Sequence, residues 1–451
     1  MPDFLKEAAH VRPTQNQLDW FDTETYAFIH FSPNTYTGLE WGTGKEPESV
    51  FAPTKLDCDQ WVEAIKAAGM RGMVLTAKHH DGFCLWPSAF TEHSVKNSPF
   101  RGDVVREAAE ACRRANLKFG FYLSPWDRNS PLYGTPAYND YFCSQLTELL
   151  TGYGEIFYVW FDGACGEGPN GKRQEYDWER YFELVHRLQP HAVIFNGPDV
   201  RWCGNEAGKA RYAEWAVVPA EVSPFARVQT GPGPLAGQGT CFAHVSDDAI
   251  GSRERIAYSR GLAFLPAEID MSIRKGWFWH EEEEPHSLER LFRTYLTSVG
   301  ANACFNLNVP PTREGLLDRR DVARLKEYGD LLRREFGTPI PFSCERVAGS
   351  PDMQPAFRLH FAEPIASVKY VVLAEDIAQG QRVEGFRITK NGEPYASYEG
   401  TTIGHKRICA LRDPFADRNP LEDDTEELIS SLTVQITAAR DSVILKSIQV
   451  F

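Results

Sequence analysis

Gly72-Met73-Val74-Leu75-Thr76-Ala77-Lys78-His79-His80-Asp81-Gly82-Phe83 joins a short apolar run to a polar, glycine-punctuated end. Seven residues without alternation are too few for a helix and suit a strand buried on both faces. On its N-terminal side, residues 57–68 carry helical periodicity and stop at Gly69. On its C-terminal side, Asp103 is an N-cap candidate for a helix over 104–115, and a second buried strand follows over 118–124. Further out the pattern repeats, with strands predicted over 25–32, 156–163 and 192–197 and helices over 141–150 and 178–188. Such alternation demands a parallel sheet with crossover helices, and the number of repeats favours closure into a TIM-like (β/α)8 barrel. Candidate strands over 210–217, 267–273 and 302–309 and helices over 287–299 and 319–335 supply the rest.

Composition changes at Gly337-Thr338-Pro339-Ile340-Pro341, where a proline-rich linker follows the last helix. Alternating strands over 367–373, 382–389, 433–436 and 442–450, with turn residues between them, predict a β-sandwich. The expected organisation is a barrel over 1–337 and an accessory sandwich over 338–451.

Acidic residues outnumber basic ones, 62 to 48, for a net charge of −14. That balance argues against a nucleic-acid partner. Residues 1–20 hold no long apolar run with a basic lead-in, so neither a secretory signal nor a membrane anchor is expected there. This suits a cytoplasmic enzyme and equally a secreted or periplasmic one whose leader has been trimmed. Ten cysteines (58, 84, 112, 143, 165, 203, 241, 304, 344 and 409) are scattered without a CxxC pair, as expected of mostly buried free thiols.

In a TIM barrel, catalytic groups stand at the C-terminal ends of the strands. Here those ends are rich in histidine, carboxylate and tryptophan: Ile29-His30-Phe31-Ser32, Lys78-His79-His80-Asp81, Tyr122-Leu123-Ser124-Pro125-Trp126 and Trp160-Phe161-Asp162-Gly163. Later ends bring Glu206, then Glu268 and Asp270 near Trp277-Phe278-Trp279. Aromatic faces pack on the C–H faces of a sugar, and imidazoles and carboxylates bond its hydroxyls. Glycoside hydrolysis needs two carboxyl groups across the anomeric carbon, roughly 5–5.5 Å apart for retention or about 6.5–9.5 Å for inversion. Asp162, an acid at the mouth after an apolar strand, is the first choice. For its partner, Glu206 on a glycine-flanked loop competes with Glu214 in the predicted strand over 210–217. Histidines at strand ends also hold ions in metallohydrolases. However, neighbours on an extended strand point to opposite faces, which weakens a shared metal at His79 and His80. A metal-dependent TIM-barrel hydrolase and a non-catalytic sugar-binding protein are the alternative readings.

Taken in order, these segments, with Glu40-Trp41, Lys78-His79-His80-Asp81-Gly82-Phe83, Trp160-Phe161-Asp162-Gly163 and Asn306-Leu307-Asn308-Val309-Pro310-Pro311, resemble glycoside hydrolase family 29, the retaining α-L-fucosidases. The resemblance covers roughly residues 15–320. It implies that Asp162 is the nucleophile of a double displacement that needs no cofactor or metal. It also implies that His30, Glu40, Trp41, His79, His80, Tyr122 and Trp160 line the fucose pocket. Pro198-Asp199-Val200-Arg201-Trp202-Cys203-Gly204-Asn205-Glu206 resembles the subgroup acting on α-1,3/1,4-fucosides. That implies Glu206 as acid/base, Arg201 among the substrate contacts and a fucosylated glycan as partner. Trp277 is read as a face for the sugar methyl, with ordinary core packing as the alternative. The oligomeric state is left open.

Overall fold

A computed structural model describes residues 4–212, 214–233, 250–393, 395, 398–412, 415 and 428–451. Eight strands form one parallel sheet: β1 (Thr25–Ile29), β2 (Gly72–Lys78), β3 (Lys118–Leu123), β4 (Tyr158–Trp160), β5 (Val193–Phe195), β6 (Arg201–Trp202), β7 (Ala267–Ser272) and β8 (Ala303–Asn308). The order β5-β4-β3-β2-β1-β8-β7-β6 runs once around, and a parallel bridge from Phe195 to Val200 brings its two ends together. This is the TIM-like barrel expected from the alternating pattern.

The runs in β1, β2, β4 and β5 are buried throughout because both faces are covered. Tyr26, Phe28, Val74, Tyr122, Tyr158, Trp160, Val193 and Phe195 fill the interior. Their sequence neighbours Ala27, Ile29, Met73, Leu75, Phe121, Val159 and Ile194 pack outward against helical residues such as Trp61, Ile65, Leu146 and Val185. Asp103 caps its helix as expected, its side chain accepting the Arg106 N–H, and Asp57 and Asp177 do the same for Gln60 and Arg180.

Two departures concern the functional face. The helix expected over 141–150 spans Ala137–Gly152, because Pro136, already in helical conformation, opens it a turn earlier. The strand expected over 210–217 is not formed among its described residues; only Val217 is extended, in a short ribbon of Val217–Pro219 with Leu262–Phe264. The reason is Glu214. Its Oε1 accepts from the backbone N–H and Nη1 of Arg211, and its Oε2 from Nη2 of Arg201 at 2.6 Å, which curls the chain around a buried carboxylate.

After the helix Arg319–Phe336 the chain turns antiparallel. Ser343–Arg346, Ala356–Ile365, Ile429–Ala439, Val383–Lys390 and Tyr398–Gly400 make a five-stranded sheet, and Arg407–Ala410, Tyr370–Glu375 and Leu445–Val450 a three-stranded one. Leu359, Leu373, Phe386, Val434 and Ile436 are buried between them in the C-terminal β-sandwich. Of the cysteines, 58, 84, 112, 143, 203, 304 and 409 are buried and free, 165 is half-buried and 344 exposed; Cys241 lies outside the described residues.

Candidate active site

The barrel brings the ends of β1 to β4, the loop after β6, the loop after β7 and the end of β8 to one mouth. Asp162 stands two residues past the end of β4. Its Oδ1 accepts the Ala164 N–H at 2.7 Å, and its Oδ2 accepts the Tyr122 hydroxyl at 3.1 Å and faces His80 Nε2 at 3.7 Å. A quarter of the side chain is exposed, so the carboxylate is held from below and open above. Tyr122 is buried, and burial beside Asp162 pushes its phenol far up, so it remains a donor.

The three histidines form one ring cluster. His30 lies 5.7 Å from His79, and His79 lies 4.2 Å from His80 and stacks on Tyr122 at 5.6 Å. Burial pushes His30 down to about 3 and drives His79 and His80 down as well, so all three are neutral near pH 7. Among the described residues, no group of three or more His, Cys, Asp or Glu side chains converges as a metal-holding set.

Glu206 stands on the loop after β6. That loop is stitched to β7 by the Cys203 and Gly208 N–H groups bonding the Glu268 and Asp270 carbonyls, both at 3.1 Å. Gly208 has a positive φ of 72°, and a Cβ there would come within 2.7 Å of Met271 Sδ, so glycine is required for this close approach. The Glu206 carboxyl takes the Trp277 indole N–H at 3.1 Å. Desolvation raises its pKa, Asp162 and Glu40 add to the rise, and the indole bond opposes it. Glu40 takes the Trp277 backbone N–H at 3.0 Å. Trp277 therefore joins the two glutamates, and its ring also lies 5.0 Å from His30.

The remaining sequence candidates are placed as follows. Trp41 is 58% exposed at the rim, edge-on to His80 at 6.1 Å and to Trp126 at 5.6 Å. Trp160 is buried one layer down, stacked on Phe195 at 4.0 Å, with its N–H given to Glu268 at 2.8 Å. Arg201 is not brought to this cluster; its guanidinium is committed to Glu214 and the Leu265 and Trp215 carbonyls. Glu214 is buried, and although burial works against its charge, Arg201 and Arg211 hold its carboxyl low.

Ser124 and Asn308 carry no role from sequence, and Glu268, one of the strand-end carboxylates, lies buried below the pocket. Ser124 bonds His80 Nδ1 at 2.7 Å, Asn308 bonds His30 Nδ1 at 2.8 Å, and Glu268 sits beneath the mouth as acceptor for Tyr26, Tyr158, Trp160 and Asn306. Their polar character in otherwise apolar strands was the available signal.

Residues 11–335 match the family model for alpha-L-fucosidase. The chain is 39% identical over 434 residues to Alpha-L-fucosidase 1 of Arabidopsis thaliana, spanning 88% of this chain and 81% of that protein. It superposes with a TM-score of 0.84 at 40% identity on the structure of an enzyme from Bacteroides ovatus described as an alpha-L-fucosidase candidate, over 99% of this chain and 75% of that one. A glycoside hydrolase family 29 fucosidase of Ruminococcus gnavus, solved with fucose, gives a TM-score of 0.81 at 27% identity over 98% and 95% of the two chains. The chain belongs to the alpha-L-fucosidase family and is a glycoside hydrolase, an alpha-L-fucosidase.

Proposed function

We propose that the chain removes terminal α-L-fucose from α-1,3/1,4-linked oligosaccharides or glycoconjugates with retention of configuration. In this reading Asp162 attacks the anomeric carbon while Glu206 gives its proton to the glycosidic oxygen, so the sugar passes to the Asp162 carboxylate as the aglycone leaves. Glu206, now ionised, takes a proton from water; the water oxygen bonds the anomeric carbon, and Asp162 is released as carboxylate. His30, His79 and His80 hold the fucose hydroxyls, Tyr122 steadies the nucleophile, and Glu40, Trp41 and Trp277 border the sugar.

The observation that carries this reading is the placement of Glu206, which shares Trp277 with Glu40 at the mouth where His30 and Asp162 stand; burial, Asp162 and Glu40 raise its carboxyl there. A carboxyl whose hold on its proton is strengthened by burial and by neighbouring carboxylates is suited to act as a general acid. The commitment of both Glu214 oxygens to arginines favours Glu206 over Glu214. For the linkage, the support is the likeness of 198–206 to the α-1,3/1,4 subgroup. Residues 1–337 form the catalytic unit in this proposal and 338–451 an accessory one.

The test pairs two variants with a substrate panel. Asp162→Ala should lose about 10⁴-fold in kcat or more, and Glu206→Ala should regain turnover with azide, giving a fucosyl azide. Near-parental activity in either variant defeats the assignment. Fucose release from α-1,2-, α-1,3-, α-1,4- and α-1,6-linked oligosaccharides reads the linkage, and release from the α-1,2 or α-1,6 substrates alone defeats the proposed preference. Loss of activity on exhaustive chelation would instead favour the metal-dependent reading.

A further inference from the structure

Asn308 ends β8, fully buried, and every hydrogen-bonding position of its amide is used. Its Oδ1 accepts the His30 backbone N–H at 3.2 Å and faces His30 Nδ1 at 2.8 Å. Its Nδ2 donates to the Trp277 carbonyl at 2.8 Å and to Ser272 Oγ at 2.9 Å. A carbonyl can only accept, so the contact with Trp277 fixes which end of the amide is nitrogen. His30 Nδ1 must then carry the proton, which leaves Nε2 as an acceptor. Trp277, held by that bond, gives its backbone N–H to Glu40 and its indole N–H to Glu206.

We infer that Asn308 is a positioning residue of the fucosidase reaction: one side chain sets the His30 tautomer and, by anchoring Trp277, aims Glu206 and Glu40. The inference rests on the reading of Glu206 as acid/base. Its physical content is that Glu206 keeps a fixed N–H donor only while Asn308 holds the loop carrying that donor. Residues of this kind act through geometry, and a displacement of about 1 Å at a reacting group can cost roughly 10²-fold.

The test is the pH profile of kcat/KM for the parent, Asn308→Ala, Trp277→Phe, their double variant and Glu206→Ala with and without azide. The alkaline limb reports loss of the Glu206 proton. Trp277→Phe removes the donor that pulls this carboxyl down, so the limb should move up by roughly half to one pH unit. Asn308→Ala should move it the same way, lower kcat/KM about ten-fold, and add no further shift in the double variant. Asp162, Glu40 and Asp270, the other charged groups that Glu206 senses or that sense it, are unchanged throughout.

Trp277 is half-buried, so an unmoved limb in Trp277→Phe overturns the inference whether or not Asn308→Ala folds. Asn308→Leu, of nearly the same size, uncharged and unable to bond either partner, replaces the alanine variant should that one unfold. Additive shifts in the double variant also overturn it. If Glu206→Ala keeps the alkaline limb or gains nothing from azide, the reading of Glu206 falls, and this inference with it. If that limb is lost and azide restores turnover while the Asn308 variants leave the parental limb in place, this inference alone falls.

Discussion

Ser124 carries one hydroxyl proton, and the structure shows where it goes. The Trp126 carbonyl, 2.6 Å away, can only accept, so Ser124 donates to it and must accept from His80 Nδ1. His80 is thereby held with its proton on Nδ1, and the Nε2 lone pair is turned to the mouth beside Asp162. Asn308 does the same for His30. Two of the three histidines are thus set with Nε2 as an acceptor, and burial disfavours their charged form. Ser124→Ala leaves a buried N–H without its partner, which costs about 1–3 kcal/mol. It also frees the ring to turn over. The expected result is a lower urea midpoint and a fall of about ten-fold in kcat/KM; unchanged kinetics would show that the tautomer is not set here. The histidines themselves were legible in sequence, because imidazoles at the ends of apolar strands are conspicuous. Ser124 and Asn308 were not, because a small polar residue in a strand has many ordinary uses and only its partner's identity reveals this one.

The loop after β6 shows why elements were less legible than residues. The sixth strand, Arg201–Trp202, stands where the sequence read a loop, and β5 passes to it through residues 196–200 with no helix between. Asn196 turns the chain at a positive φ of 52°, and the Asp199 carboxylate takes the Ile194 N–H at 3.0 Å. Tyr212-Ala213-Glu214-Trp215 has the rhythm of a strand, but Glu214 is buried against two arginines, and one of them lies thirteen positions earlier. Periodicity sees neighbours two to four residues away and cannot anticipate such a pair. β1, β2, β7 and β8, each packed against barrel strands on both sides, fell close to where their apolar runs placed them. Glu214→Gln should unfold at lower denaturant, by about 3–5 kcal/mol, since the two buried guanidiniums then lose the carboxylate charge they share. Arg201 opens the loop that ends in Glu206, so activity should fall as well, but azide should not restore it. Rescue by azide would exchange the roles assigned to the two glutamates.

At the scale of the whole molecule the sandwich braces this same region. Asn302 donates from Nδ2 to the Glu214 carbonyl at 2.8 Å and accepts the His405 N–H at 2.6 Å, while the Arg407 guanidinium lies 4.6 Å from the Tyr212 ring centre. The brace depends on Glu375, a buried carboxyl that gathers the N–H groups of Arg382, Val383 and Gly404 at 2.5, 3.0 and 3.1 Å and so ties two loops to the strand Tyr370–Glu375. Burial pushes this carboxyl up to about 7 from its ordinary 4.5, although the three N–H groups and the Arg440 charge oppose the rise. Between those two values the folded chain binds the proton more tightly than the unfolded chain, so stability is highest at the acid side of the window and declines as pH rises to about 7. Asp81 and Asp321, each raised to about 6 by burial, tilt the curve in the same direction. Glu375 alone should account for a decline of about 3 kcal/mol at most across the window. Glu375→Gln keeps a carbonyl acceptor but cannot titrate. Urea unfolding at pH 5, 6, 7 and 8 should therefore show the parent losing its advantage over the variant as pH rises, with the two curves parallel above about 7.5; parallel curves over the whole range would mean that Glu375 does not titrate in the fold.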